Sequence, residues 1–94
     1  MPYVIIRHKV ADYSSWKPAF DAHGATRKAS GSRGGYLFRS VDDPSELVIL
    51  LEVEDLVKAR AFTQSEGLRD TMQRAGVMDR PDFYFLEELE RPEQ

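Results

Sequence analysis

The chain predicts an α+β domain of order β-α-β-β-α-β, with four antiparallel strands and the helices on one face of the sheet. Three observations predict it. Residues 3–10 alternate apolar and polar side chains with a period of two. From about Ser15 to Lys28 the side chains Trp16, Phe20, His23 and Arg27 recur at i, i+4, i+7 and i+11, one stripe of a helix. Two further strand-like runs follow, and then a second helical region and a last strand complete the order.

In the first strand Val4, Ile6, His8 and Val10 share one face and Tyr3, Ile5, Arg7 and Lys9 the other. The apolar parity of the first set points His8 at the helix layer. Asp12, Ser14 and Ser15 offer N-cap oxygens, and Pro18 suits a first helical turn, so the regular helix is expected to start between Ser14 and Lys17. The run from Ala29 to Gly35 reads as a turn. A phosphate-cradling loop would need a helix after it, whereas Tyr36 to Ser40 reads as a strand.

Asp42-Asp43-Pro44-Ser45 is a turn cluster leading into Leu47 to Glu54, the most apolar strand. Asp55 caps the second helical region, with Leu56, Ala59, Phe62 and Thr63 inward. Ser65-Glu66-Gly67 interrupts it; Leu68, Met72 and Ala75 resume helical spacing until Gly76, so two pieces are expected. Pro81-Asp82 opens the last strand, Phe83 to Leu89. One domain over residues 1–90 with a charged, frayed tail at 91–94 accounts for the chain.

Ninety-four residues suffice for a two-layer core. Thirteen Lys+Arg against sixteen Asp+Glu give a net charge of −3, with the basic residues scattered, which argues against nucleic-acid binding. The chain has no cysteine, so disulfides, thiolate nucleophiles and Cys-ligated metal are excluded. Two histidines on separate elements, without a third ligand at telling spacing, make no metal site. No apolar run is long enough to span a membrane, and the start lacks a signal-peptide pattern, so a cytoplasmic location is expected.

The element order is the split βαβ arrangement of ferredoxin-like domains. Its sheet has a bare side, while the third and fourth strands carry apolar residues on both parities. The helices cover one face only, which predicts a two-fold homodimer closed through the open face, at about 800 Å² per partner. Arg7 points to that side, where Glu52 or Glu87 are its expected partners.

The segments His8-Lys9-Val10-Ala11-Asp12-Tyr13, Trp16-Lys17-Pro18, Phe20-Asp21, Asp42-Asp43-Pro44, Ala59-Arg60-Ala61-Phe62, Ala75-Gly76-Val77 and Phe83-Tyr84-Phe85-Leu86-Glu87 occur in that order. Together they resemble the dimeric α+β barrel superfamily, close to its antibiotic biosynthesis monooxygenase (ABM) group. The resemblance spans essentially the whole domain and implies a dimeric α+β barrel that holds a small hydrophobic or aromatic ligand. For the oxygenating relatives it also implies cofactor-free, metal-free chemistry on phenolic or quinol-like compounds. Such chemistry needs an apolar pocket, a base for the phenol and a donor for the developing oxyanion. The expected acid/base group is His8, with His23 and Tyr84 assisting; Trp16 and Phe20 shape the pocket, and Arg27 ends the same stripe as a candidate ligand contact. The plain readings are a core imidazole for His8, a rim or solvent position for His23, core packing for Trp16 and Phe20, and a surface charge for Arg27.

The chain departs from the pattern in having no asparagine, so the Asn near a Trp in well-known oxygenating relatives has no counterpart. Two further readings follow. One is nonoxidative cyclisation or isomerisation, in which His8 matches a first-strand His of similar cyclases but a late second His is missing. The other is a dimer that binds a hydrophobic ligand without turnover.

Overall fold

The computed structural model describes residues 2–94, in which β-branched Val4, Ile5 and Ile6 hold β1 (Pro2–Lys9) extended. It pairs antiparallel on one side with β3 (Glu46–Val53) and on the other with β4 (Asp82–Glu87), and β2 (Ser32–Arg39) pairs with β3. The order across the sheet is β2-β3-β1-β4, with β1 and β3 central. Val4, Ile6 and His8 of β1 and Leu47, Ile49, Leu51 and Val53 of β3 are buried, and Phe83 and Phe85 stand opposite Ile6 and Val4 on this same face.

Four helices cover it, in two pairs: α1 (Tyr13–Ala22) with α2 (Gly24–Ala29), and α3 (Leu56–Thr63) with α4 (Glu66–Arg74). The division of the second pair follows the expected interruption, with Asp55 and Ser65 capping through their side chains. The first pair divides where one continuous helix was expected. At His23 (φ −86°, ψ 1°) the backbone N–H is shared between the carbonyls of Ala19 and Phe20, at 3.1 and 3.2 Å. Pro18 is also deeper than predicted. Asp12 caps the helix at Tyr13, so the proline is its sixth residue, and Ser14, whose carbonyl loses its usual partner, is solvent-exposed.

The glycine run differs as well. Ser32 to Gly35 belong to β2 rather than to a turn, with an irregular register between Ser32 and Gly35. A Cβ built on Gly35 would lie 1.8 Å from the Leu50 carbonyl oxygen, so the strand can approach β3 here only without a side chain. Gly76 ends the second helical pair with φ +89°, and Val77 beyond it bridges to Val10.

Among the described residues no helix covers the opposite sheet face. Cross-strand pairing aligns Tyr36, Leu50, Ile5 and Tyr84 in one row and Phe38, Val48, Arg7 and Asp82 in the next. Tyr36 is 66% exposed, Tyr84 53% and Phe38 50%. No helix among the described residues is long and apolar enough to cross a membrane.

Gly35→Ala is expected to cost about 2–3 kcal/mol, the upper range for overpacking against backbone that cannot yield. Urea denaturation monitored by circular dichroism measures it.

Candidate functional site

Alternation along β1 turns His8 into the helix layer, where it is 1% exposed. Its ring meets Trp16 of α1 edge-on, with centroids 5.7 Å apart, and Trp16 stacks on Phe20 one turn later at 4.8 Å. The Arg27 guanidinium lies 3.7 Å from the Phe20 ring centre and donates to the Phe20 carbonyl at 2.7 Å. His8, Trp16, Phe20 and Arg27 thus form one continuous series of contacts.

The other two predicted residues do not join it. His23, at the break between α1 and α2, stacks on Phe62 of α3 with centroids 5.8 Å apart. Tyr84 stands directly opposite Ile5, hence on the open sheet face, turned away from His8. This register places the expected pair His8 and Tyr84 on opposite faces of the sheet. Arg27 is committed to Phe20 through both its face and its Nη1, so the protein already uses the contacts predicted for a ligand.

Burial pushes the His8 imidazole below its usual pKa, partly opposed by its backbone and by Asp79. His8 Nδ1 is buried without a hydrogen-bond partner, and it is the one such side-chain atom among the described residues. A neutral imidazole of this kind can accept or relay a proton. Burial, together with the nearby Arg27 charge, also lowers His23.

The aromatic series is closely packed, and one of the molecule's open volumes lies on the same side of the sheet. A cavity of about 590 Å³ opens between α4 and β4, with Phe83 and Phe85 on the strand side, Leu68 and Met72 on the helix side and Val77 between. Arg69, Arg80, Gln64 and Gln73 border it with polar groups. The floor residues pair with Ile6 and Val4, and His8 is the next β1 residue of the same parity, about 7 Å further along the strand and diagonal to Phe83.

Asp79 ties this cavity to β1. One carboxylate oxygen accepts from the Lys9 backbone N–H at 2.7 Å, and the other faces both terminal nitrogens of Arg7 at 3.3 Å. Burial opposes ionisation, yet the Lys9 N–H and the Arg7 charge hold this carboxyl below its usual range. Arg7 also pairs with Glu46 at 2.7 Å and Asp82 at 3.2 Å, rather than with the expected Glu52 or Glu87. Among the described residues no group of three His, Asp or Glu side chains is arranged to hold a metal.

Helical spacing marks Leu68 and Met72 as inward-facing, but no spacing distinguishes a cavity wall from a filled core. Asp79, Arg69 and Arg80 gave no sequence signal of a site.

No protein-family model matches the sequence, and no curated protein matches it. Solved structures do match in fold. SnoaB, a cofactor-independent oxygenase from Streptomyces nogalater, superposes with a TM-score of 0.75 at 13% identity, over 99% of this chain and 97% of that one. A Bordetella bronchiseptica protein provisionally named an antibiotic biosynthesis monooxygenase gives 0.75 at 16%, over 94% and 96%. One from Caulobacter crescentus, named in the same provisional way, gives 0.72 at 17%, over 95% and 90%. The chain has the fold of the antibiotic biosynthesis monooxygenases. At these identities the likeness is one of architecture, and it agrees with the ABM resemblance of the sequence.

Both histidines are lowered in the folded protein, so the unfolded chain takes up protons first as the pH falls through 6.5. Stability is therefore expected to decline on acidification from pH 7.5 to 5.5, above the range where Asp43 and Asp79 protonate. Urea midpoints across that range measure it, and His8→Phe should flatten the profile; an unchanged slope in the variant would assign it elsewhere.

Proposed function

We propose that the chain is a cytoplasmic homodimer that binds phenolic or quinol-like compounds in the cavity between α4 and β4. There it oxidises them with dioxygen without a cofactor, and His8 serves as the acid/base group. The observation carrying this reading is the neutral, buried His8, with its unpartnered Nδ1, one strand away from an apolar cavity. Removing a phenolic proton leaves a phenolate able to pass an electron to dioxygen, so the protein's task is to accept that proton and exclude water. Access to His8 requires α4 to draw back from the sheet, while the segment from Val77 to Asp79 stays fastened to β1. Leu68 is the one buried residue of α4, with Met72 packed against the core, which makes the helix a lightly anchored wall.

The SnoaB likeness in fold supports the oxygenase reading. The absence of asparagine favours a second one, nonoxidative cyclisation or isomerisation with the same His8 as acid/base group. Oxygen uptake with added hydroquinones separates them, and product analysis under anaerobic conditions separates the second from binding without turnover. Uptake is expected with the wild-type protein and should fall by about a hundredfold or more in His8→Ala, the usual scale for a lost general base. Full activity in a folded His8→Ala protein would remove His8 from the reaction.

The homodimer reading rests on the uncovered row of Tyr36, Leu50, Ile5 and Tyr84, which would lie at the interface. Sedimentation equilibrium should give a dimer at micromolar concentration and a monomer for the double variant Tyr36→Glu, Tyr84→Glu. A compact wild-type monomer would refute the assembly.

A further inference from the structure

The cavity between α4 and β4 is apolar inside and cationic at its border. Phe83, Phe85, Leu68 and Met72 supply aromatic and aliphatic surface. Arg69 projects from α4 and Arg80 from the segment entering β4, and both line the cavity while remaining solvent-exposed. Among the described residues neither makes an ion pair within 4.0 Å. The carboxylate lining the cavity belongs to Asp79, and it is already engaged by Arg7 and by the Lys9 N–H. A third guanidinium, that of Arg60, stands 4.2 Å from the Phe85 ring centre. Positive charge is thus concentrated at this opening, although the whole chain carries −3.

We propose that this cavity selects a planar aromatic molecule bearing an oxygen-centred negative charge, with its rings over Phe83 and Phe85 and its anionic group between Arg69 and Arg80. The inference rests on the cavity being the ligand site and adds the charge class of the ligand. A guanidinium beside an apolar wall gives a carboxylate two parallel hydrogen bonds and a phenolate a charge-assisted one, each stronger than a bond to a neutral oxygen. A neutral ligand of the same shape keeps the ring contacts and loses the charge-assisted ones. A cation placed there meets repulsion from both guanidinium groups.

Calorimetric titration with 2-naphthoate and its uncharged isostere 2-naphthamide tests this in the wild-type protein, in Arg69→Gln, in Arg80→Gln and in the double variant. The naphthoate is expected to bind about tenfold or more tighter than the amide, the scale of one good charge-assisted contact. That advantage should shrink in each single variant and with added salt, and vanish in the double variant, while amide affinity stays unchanged. Equal affinities in the wild type, or an advantage surviving in the double variant, would overturn the proposal and leave both arginines as solvated surface charges. Oxygen uptake with a neutral hydroquinone, measured in parallel, separates the two levels. Uptake without a preference for the anion defeats the charge class alone; a preference without uptake defeats the oxygenase reading alone. If neither naphthalene compound binds, the cavity is not the ligand site and both readings fall.

Discussion

The strict two-residue alternation of β1 is the constraint on which the rest of the structure depends. As a central strand, β1 must commit each side chain either to the helix layer or to the open face. Val4, Ile6 and His8 go inward and Tyr3, Ile5, Arg7 and Lys9 outward, so one slip of register would exchange a buried imidazole for a guanidinium. Because β3 and β4 both pair with this strand, their own parities are inherited from it. Leu47, Ile49 and Leu51 therefore complete the core, and Phe83 and Phe85 line the cavity.

Around the end of β1 one carboxylate links features that would otherwise be separate. Asp79 borders the cavity, satisfies the backbone of Lys9 and faces Arg7, whose side chain lies on the open face. The Met78 N–H donates to the Lys9 carbonyl at 2.8 Å and Val77 bridges to Val10, so the segment between α4 and β4 is fastened to the strand carrying His8. Arg7 and Asp79 thus join the open face to the cavity border by direct side-chain contact.

Much of the fold was legible in the sequence because it follows from local rules. Asp12, Asp55 and Gly76 act at the helix ends as their side chains and backbone freedom require, and Leu47 to Val53 alternate between core and open face in β3. The misjudged places are those where a neighbouring element overrides local preference. Gly35 looks like a turn residue, yet it is in β2 because only a residue without a side chain fits against the Leu50 carbonyl. Pro18 looks like a first-turn residue, yet the cap at Asp12 starts the helix five residues before it.

Of the six side chains expected at the candidate site, four touch in one series. Helical spacing and strand parity sufficed to bring His8, Trp16, Phe20 and Arg27 together, because each rule acts within one element. The sequence by itself thus determined the element order, the inward His8 and the surplus of apolar sheet. Only the tertiary structure decided that Tyr84 faces away from His8, that Arg7 meets Asp79 and that an open volume lies beside α4. The physical reason is that β4 carries aromatic side chains on both parities. Its own pattern was therefore silent, and the register it adopts against β1 made the choice.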